Sequence, residues 1–269
     1  MTTIGDFLKE ATKTLTAAGI GSARLDVMIL LEDTIGHNRA YLLAHPEHAL
    51  TAEQTRTLHK KITQRTKHVP LAYIRGSAPF YGRTFMVNEQ VLVPRPETEA
   101  MIDMLRALPL GTIPRIADIG TGSGCIGITA KLELPAADVW LYDIDFAALV
   151  VAKTNAHNLQ AIVHTAQTDL LAAVAEAFDV IATNLPYVPT TLGVNRAAKH
   201  EPELALFAGS DGLDAYRAFW RQLGERGQKP TYVLTESLIL QHTKMAALAG
   251  LAGYALTGTN HLIQQFTLG

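Results

Sequence analysis

The chain has 269 residues, of which 48% are hydrophobic and 18% charged, and its net charge is -2 at pH 7. This length suits one large or two smaller globular domains, and the near-neutral charge provides no overall field towards nucleic acid or membranes. The single cysteine excludes an intrachain disulfide and a Cys-rich zinc site.

The cellular compartment is predicted from the absence of targeting and membrane-spanning segments in the sequence. The N-terminus shows no basic segment followed by an apolar core, so we expect no signal peptide. No apolar run approaches the roughly 18 residues of a membrane helix. We therefore expect a soluble, cytoplasmic protein without membrane contact.

Residues 1–75 show helical spacing without a β pattern and predict a small all-α domain. The second helix is expected to have an apolar face of Leu25, Ile29 and Leu30, which Val27, Met28 and Leu31 widen. The third helix is expected to run from a capping box to about Thr66. The capping and stop signals for these helices are Thr3 with Asp6, Gly19, Ser22, Gly36, and Thr51 with Gln54.

The segment 56–75 carries six Lys or Arg residues and no Asp or Glu. Two interpretations are open: a solvated helix face, or a contact for an anionic partner such as ribosomal RNA or an acidic protein surface. No aromatic residues alternate with the cations, so stacking on bases is not indicated.

Residues 76–95 change character and predict a β-hairpin linker. The runs Phe80–Val87 and Val91–Val93 are expected to pair around Asn88-Glu89. Pro94 to Pro96 should stop the second strand. Glu97 and Glu99 then suit the first turn of a helix, where the macrodipole favours carboxylates.

Residues 96–269 alternate strands and helices, which predicts a mostly parallel sheet covered by helices on both faces. The expected strands are Ile116–Ile119, Val139–Tyr142, Ile162–Thr165, Val180–Thr183, Tyr232–Thr235, Tyr254–Leu256 and Leu262–Leu268. Helices are expected from Cys125, from Phe146, over Ala215–Leu223 and over Gln241–Ala249.

A glycine-rich loop follows the first strand of this region. The sequence Asp118-Ile119-Gly120-Thr121-Gly122-Ser123-Gly124 allows close backbone approach and leads into a helix N-terminus. Asp143 ends the next strand and could accept hydrogen bonds from both hydroxyls of a ribose. Gly122 to Gly127 also fits the dinucleotide pattern G-x-G-x-x-G, so an NAD-dependent oxidoreductase stays open. Asp118 favours S-adenosylmethionine, because it could hold the cationic methionine end.

The most informative motif is Asn184-Leu185-Pro186-Tyr187, at the end of a buried strand. The Asn side-chain oxygen and the next carbonyl can each accept one hydrogen of a planar NH2 group, and the aromatic ring can cover its face. This arrangement predicts methyl transfer to a planar nitrogen. Cys125 is expected to be a packed residue rather than a nucleophile. The scattered histidines show no ligand spacing, so no metal site is predicted.

The chain resembles the peptide chain release factor glutamine methyltransferases over most of its length. The most specific similarities are Val91 to Glu99, containing Pro-Arg-Pro-Glu-Thr-Glu, and Glu201 to Asp214, which follows the Asn motif. The glycine loop, Ala23 to Asp26 and Pro70 to Gly76 also resemble this family. The resemblance implies a Rossmann-like class I methyltransferase domain over residues 96–269, preceded by the helical domain, which would dock the substrate protein, and the hairpin linker.

The resemblance also implies an activity and a site. The reaction would methylate N5 of the glutamine in the Gly-Gly-Gln motif of class I release factors and release S-adenosylhomocysteine. The donor site would comprise Asp118, Gly120, Thr121, Gly122, Ser123, Gly124, Asp143, Asp169, Leu170 and Asn184. Asn184, Leu185, Pro186 and Tyr187 would form the catalytic and glutamine-binding loop, and Arg95 and Glu97 would also contact substrate.

The sequence departs from the family pattern in two places. Leu185 stands where the family usually has Pro; it keeps the carbonyl and, preceding Pro186, is still biased towards extended backbone. The segment Thr257 to His261 lacks the expected Asp-Gly…Arg pattern, although Glu236 and Gln241 preserve part of the preceding element.

Two further functions are open from the sequence. An amino-methyltransferase acting on adenine or cytosine of RNA or DNA would use the same Asn loop, and Asn-Leu-Pro-Tyr also occurs in ribosomal RNA adenine dimethyltransferases. It would need a base-flipping pocket and a cationic channel. A binding module that has lost catalysis is disfavoured by the intact Asn184.

Overall fold

The computed structural model describes residues 2–269, which form two compact units. One unit comprises the chain up to Gly76 together with Asn195–His200. The other comprises Ser77–Val194 and Glu201–Gly269. No helix within residues 2–269 is long and apolar enough to span a membrane.

The first unit is helical, as the sequence predicts. Thr3 caps the first helix by accepting a hydrogen bond from the Asp6 backbone, and Thr51 and Gln54 form the predicted capping box. Its helices are α1 (Ile4–Ala17), α2 (Ala23–Ile35), α3 (Arg39–Ala44), α4 (Ala52–Thr66) and α5 (Leu71–Arg75). Helices α3 and α5 were not predicted, because six and five residues are too few to show a helical period.

Two details of α2 were predicted wrongly. Ser22 makes no side-chain capping bond, although Gly36 ends the helix in the left-handed conformation as expected. Leu25 is 48% exposed, whereas Val27, Met28, Leu30 and Leu31 are buried. Apolar residues occupy so much of this helix that the sequence pattern does not single out the buried face.

Half of the Lys and Arg side chains in the basic segment 56–75 form hydrogen bonds or ion pairs with other residues of the chain. Arg65 pairs with Asp26 at 2.7 Å, Arg75 forms two hydrogen bonds to Asp33, and Lys61 donates to Thr34. Arg56, Lys60 and Lys67 are exposed. The anionic contact that the sequence suggests therefore has three exposed cations to draw on, and it stays a prediction.

The second unit opens with a hairpin whose turn was predicted in the wrong place. Strands β1 (Ser77–Phe80) and β2 (Arg83–Met86) pair antiparallel, so the turn falls at Tyr81-Gly82 rather than Asn88-Glu89. Gly82 adopts the positive φ that this turn requires. Val91–Val93 is not a strand.

A seven-stranded sheet forms the centre of this unit, in the order β5-β4-β3-β6-β7-β9-β8. It is parallel except for β9, which pairs antiparallel with both β7 and β8. The strands are β3 (Arg115–Ile119), β4 (Asp138–Asp143), β5 (His164–Gln167), β6 (Val180–Thr183), β7 (Tyr232–Glu236), β8 (Tyr254–Asn260) and β9 (Ile263–Leu268). The predicted mostly parallel sheet is confirmed. Strand β5 begins two residues later than predicted, and Ile162 is 83% exposed.

Helices pack on both faces of this sheet and enclose two hydrophobic cores. They are α6 (Glu99–Arg106), α7 (Cys125–Glu133), α8 (Phe146–Asn158), α9 (Glu203–Leu206), α10 (Asp214–Glu225) and α11 (His242–Leu251), with 3-10 turns at Pro96–Thr98, Ala198–His200 and Ile239–Gln241. One core contains Ile102 and Ile128, and the other contains Phe219, Trp220 and Phe266. Because strands β3, β4, β6 and β7 are parallel, their carboxyl ends lie at one edge of the sheet, where ligands bind in folds of this kind.

Candidate active site

The glycine loop connects β3 to α7 at this edge. Gly120, Gly122 and Gly124 all have positive φ, a conformation that other residues rarely adopt. The Gly120 and Thr121 amides donate to the Tyr142 carbonyl at 2.9 Å, which fixes the loop against β4. A Cβ on Gly122 would meet nothing within 4 Å, so open space lies beside this residue.

Asp118 lies beneath the loop and is fully buried. Its Oδ2 accepts hydrogen bonds from the Thr121 hydroxyl at 2.6 Å and the Gly127 amide at 2.8 Å. Within the described chain, Oδ1 has no partner. Burial raises the pKa of Asp118 to about 6, against the lowering effect of those two bonds.

Asp143 closes the other side of the loop, at the end of β4. Its carboxylate accepts the Gly122 amide at 2.8 Å and the Asp145 amide at 2.9 Å. Burial raises its pKa, and these two bonds oppose that shift. Leu170, which follows Asp169, has a φ of 53°, an uncommon conformation for a residue other than glycine.

A cavity of about 300 Å³ lies above these groups. That volume is at the lower end of the range of about 300–1,000 Å³ that small-molecule sites occupy. Its lining includes most of the predicted donor and substrate residues, namely Gly120, Thr121, Gly122, Ser123, Asp143, Asp169, Leu170, Asn184, Leu185, Pro186 and Arg95. Asp118, Gly124, Glu97 and Tyr187 do not line it.

The cavity fits S-adenosylmethionine. The loop side of the cavity is lined by glycines without Cβ atoms, Asp143 supplies a carboxylate that could accept ribose hydroxyls, and apolar side chains such as Ile144 and Ala148 form its wall. The unpartnered Oδ1 of Asp118 leaves one carboxylate oxygen beneath the loop without a compensating donor.

Asn184 immediately follows β6 and faces this cavity. Its Nδ2 donates to the Thr98 hydroxyl oxygen at 3.2 Å. No group in residues 2–269 donates to Asn184 Oδ1 or to the Leu185 carbonyl. Two acceptors are therefore available at neighbouring positions, which is the arrangement that the sequence motif predicts for an NH2 group.

Leu185 uses its side chain for packing. It is 4% exposed and belongs to the core that contains Tyr216 and Phe219. Its Cδ2 lies 3.0 Å from the position that a Cβ on Gly120 would occupy, and its amide donates to the Tyr216 hydroxyl at 3.3 Å. The leucine thus joins the Asn motif to the glycine loop, a contact that the sequence did not suggest.

Tyr187 is held at both ends. Its hydroxyl donates to Glu236 Oε1 at 3.0 Å, and burial beside this carboxylate raises its pKa. Its backbone carbonyl accepts a hydrogen bond from Gln241 Nε2 at 2.8 Å. Gly212 packs directly over this carbonyl, because an added Cβ would lie only 2.2 Å from the oxygen.

Arg95 lines the cavity, but its guanidinium is already paired. It donates to Glu201 Oε1 at 2.7 Å, and the Val93 amide donates to the other oxygen of this buried carboxylate. The two segments with the most specific family resemblance are therefore joined by Glu201. Glu97 is exposed.

Three polar residues of the site were not identified by the sequence analysis as site residues. Thr98 and Glu236 contact Asn184 and Tyr187. Asn155 bonds the Ser123 carbonyl and both backbone groups of Met86. A signal existed for the first two: Thr98 stands inside the Pro-Arg-Pro-Glu-Thr-Glu motif, and Glu236 ends the strand beside β6. Asn155 lies in the last turn of α8 and carries no such signal.

Within residues 2–269, neither a thiol nucleophile nor a metal centre is evident. Burial raises the pKa of Cys125 to about 12, so this thiol stays protonated at neutral pH, as the sequence interpretation requires. Among residues 2–269, no three His, Cys, Asp or Glu side chains are grouped as ligands for a metal ion.

Solved structures match the fold of most of this chain. The T. thermophilus 16S rRNA N2 G1207 methyltransferase, in complex with AdoMet and guanosine, aligns with a TM-score of 0.53 at 18% identity, covering 71% of this chain and 49% of that one. A methyltransferase from Pyrococcus furiosus aligns with a TM-score of 0.50 at 14% identity, covering 81% and 96%. At these identities the likeness concerns the fold alone, which is Rossmann-like.

Sequence comparisons are more specific. Residues 6–76 match the PrmC N-terminal domain, and residues 97–200 match the methyltransferase small domain. The release factor glutamine methyltransferase of Koribacter versatilis is 38% identical over 240 residues, covering 87% of this chain and 86% of that protein. The Cereibacter sphaeroides enzyme of the same name is 36% identical over 93% of this chain and 91% of its own length. These matches remove the NAD-dependent oxidoreductase from consideration, and the chain belongs to the release factor glutamine methyltransferase family.

Proposed function

We propose that this protein transfers a methyl group from S-adenosylmethionine to N5 of the glutamine in the Gly-Gly-Gln motif of class I peptide chain release factors. The observation that carries the proposal is the pair of unoccupied acceptors, Asn184 Oδ1 and the Leu185 carbonyl, beside the cavity behind the glycine loop. Family membership supports the substrate class.

The donor would lie against the glycine loop. The backbone of residues 120–124 would lie against it, Asp143 would accept from its ribose hydroxyls, and Asp169 and Leu170 would lie beside its adenine. Asp118 would act from beneath the loop, as a negative charge behind the amides. When bound, S-adenosylmethionine supplies an electrophilic methyl carbon and leaves as S-adenosylhomocysteine; no metal is required.

The protein's part in the reaction is to position an amide nitrogen. The nitrogen is a poor nucleophile, because its lone pair is delocalised into the carbonyl. Asn184 Oδ1 and the Leu185 carbonyl would accept its two hydrogens and hold it in line with the methyl carbon. Positioning of this kind is worth up to about 7–11 kcal/mol in well-oriented systems.

The same two bonds also favour the transition state. As the new N–C bond forms, the nitrogen becomes more positive, so both hydrogen bonds to it strengthen relative to the ground state. One of the two held protons then leaves, which restores the neutral amide. Pro186 would border the pocket and Tyr187 would pack beneath the amide plane.

The remaining parts of the proposal concern docking and location. We propose that residues 1–75 dock the release factor, and that 76–95 link this domain to the methyltransferase domain, 96–269. Arg95 would act mainly through Glu201, and exposed Glu97 is available to a protein partner. Release factors act in translation, which is consistent with a cytoplasmic protein.

The test is transfer of labelled methyl from S-adenosylmethionine to purified release factor. Wild-type protein is compared with Asn184→Ala on release factor carrying Gln or Ala at the motif. We expect label only with wild-type protein and the glutamine, while Asn184→Ala keeps the wild-type unfolding midpoint. Label in ribosomal RNA or DNA, but not in release factor, would replace this proposal by the nucleic-acid amino-methyltransferase.

A further inference from the structure

Three side chains from separate segments meet behind Asn184. Thr98 lies in the turn before α6, Tyr187 ends the Asn motif, and Glu236 ends β7. Thr98 accepts from Asn184 Nδ2 at 3.2 Å, and Tyr187 donates to Glu236 Oε1 at 3.0 Å. Thr98 is 2% exposed and Glu236 is fully buried.

The polar groups beside the Glu236 carboxylate, on Thr98, Tyr187 and Asn184, can all donate a hydrogen bond to it. Burial raises the pKa of Glu236, and hydrogen bonding from Thr98, Tyr187 and Asn184 offsets only part of this rise. Only Tyr187 makes a hydrogen bond of good geometry to this carboxylate, through Oε1. Within residues 2–269, no group makes such a bond to Glu236 Oε2. One more well-placed N–H or O–H would therefore satisfy a buried oxygen that otherwise remains uncompensated.

This environment decides which way the Asn184 amide points. A carboxylate accepts hydrogen bonds and cannot donate them, so the Asn184 NH2 is the end that can face Glu236. Thr98 can accept from that NH2 while its own hydrogen points to the carboxylate. The opposite end, Oδ1, must then face the cavity. Turning the amide over would place Oδ1 against a negative charge.

We propose that Glu236, together with Thr98, fixes the Asn184 amide so that the site selects a carboxamide over a carboxylate. This inference rests on the proposed function and adds two positioning residues to it. With Oδ1 and the Leu185 carbonyl both facing the substrate, the site offers two acceptors. A glutamine NH2 satisfies both, whereas a glutamate side chain would place its own acceptors and charge against them.

Recognition of this kind is strongly selective. Sites built to hydrogen-bond a particular group reject analogues lacking it by factors of about 10⁴ or more, because buried groups are left unpaired. The selectivity should depend on the orientation of Asn184 and not on its mere presence. Glu236→Gln tests this directly, because Gln can turn its own NH2 towards Asn184 and let the Asn184 amide reverse.

The experiment measures binding and transfer separately. Release factor carrying Gln or Glu at the tip is titrated into wild-type and Glu236→Gln protein, each saturated with S-adenosylhomocysteine, and methyl transfer to the Gln form is measured in parallel. We expect Glu236→Gln to lose about 10²-fold in kcat, the scale for one misplaced oriented group. Its binding preference for Gln over Glu should fall at least about tenfold, with S-adenosylhomocysteine affinity unchanged.

A matched pair at Thr98 supplies the control. Thr98→Val removes the hydroxyl with little change of shape and should shift the preference in the same direction. Thr98→Ser keeps the hydroxyl and should retain the wild-type preference. If Glu236→Gln does not fold, this pair carries the test alone.

The outcomes separate the two proposals. An unchanged Gln-to-Glu preference in folded Glu236→Gln and Thr98→Val, even with reduced kcat, would show a merely structural role and overturn the inference. Wild-type protein that neither binds nor methylates the Gln form would instead overturn the proposed function, and with it this inference. A reduced preference in both variants, with wild-type preference in Thr98→Ser, supports it.

Discussion

Replacing Asp118 by Asn should change the pH dependence of stability. The carboxylate is fully buried and its Oδ2 accepts from Thr121 and Gly127. An Asn side-chain oxygen can accept the same two bonds. Its NH2 would then occupy the position of Oδ1, which has no partner within residues 2–269. The substitution therefore preserves the bonds and removes a buried charge.

The magnitude follows from the shift in pKa. Burial raises the pKa of Asp118 from 3.8 to about 6, a difference worth about 3 kcal/mol. Because the folded value is the higher one, this contribution is fully present below pH 3.8 and is lost as the pH rises through about 6. The substituted amide cannot titrate, and a small part of the contribution is already lost at pH 4. The stability of Asp118→Asn relative to wild type should therefore rise by about 2.4 kcal/mol between about pH 4 and about pH 7.5.

Urea unfolding of both proteins across this pH range measures the difference directly. Glu225→Gln, which removes one exposed carboxylate, reports the effect of net charge alone. A difference between wild type and Asp118→Asn that stays constant with pH would refute the argument. It would mean that Asp118 ionises in the folded protein as easily as in the unfolded chain.

Three further substitutions test packing and pairing. Gly127→Ala should destabilise by about 1–3 kcal/mol, because the new Cβ would lie 2.2 Å from Leu141 Cδ2, and urea unfolding checks this. Leu185→Pro restores the usual family residue but should lower the thermal midpoint, since it removes a buried side chain and a donor N–H. An unchanged thermal midpoint would contradict the packing role of Leu185. Asp26→Ala should cost about 3–5 kcal/mol by leaving Arg65 buried without its partner, and Asp26→Ala combined with Arg65→Met should recover part of this loss in the same unfolding assay.

Regular elements of this chain could be predicted because local signals and tertiary structure agree. Strand β6 was expected at Val180–Thr183 and lies there, since four consecutive apolar or β-branched residues suit a strand buried on both faces. Helix α4 starts at its capping box. The turn of the hairpin was predicted wrongly because Asn88-Glu89 resembles a turn locally. The actual turn at Tyr81-Gly82 is fixed by a tertiary contact, the Tyr81 amide donating to Glu99.

The site divides in the same way. The glycine loop and the Asn motif were found because each is contiguous in sequence and has a recognisable local geometry. The structure brings most of their residues to one cavity but leaves Asp118 and Tyr187 outside its lining. The sequence predicts a contact between Asp118 and the donor because it does not reveal that the Asp118 side chain is buried. This burial depends on the packing of Gly127 over the Asp118 carboxylate.

What orients the motif lies far from it in sequence. Asn184 contacts Thr98, 86 positions earlier, and Tyr187 contacts Glu236, 49 positions later. Parallel strands make this possible, because β6 and β7 are neighbours whose carboxyl ends lie side by side although a long connection separates them. A motif search can therefore find the Asn that would hold the amide. The family pattern also contains Glu236, but the sequence does not show that this carboxylate is buried beside Asn184. That contact determines whether Asn184 presents its oxygen or its NH2 group, and the choice is what would distinguish glutamine from glutamate.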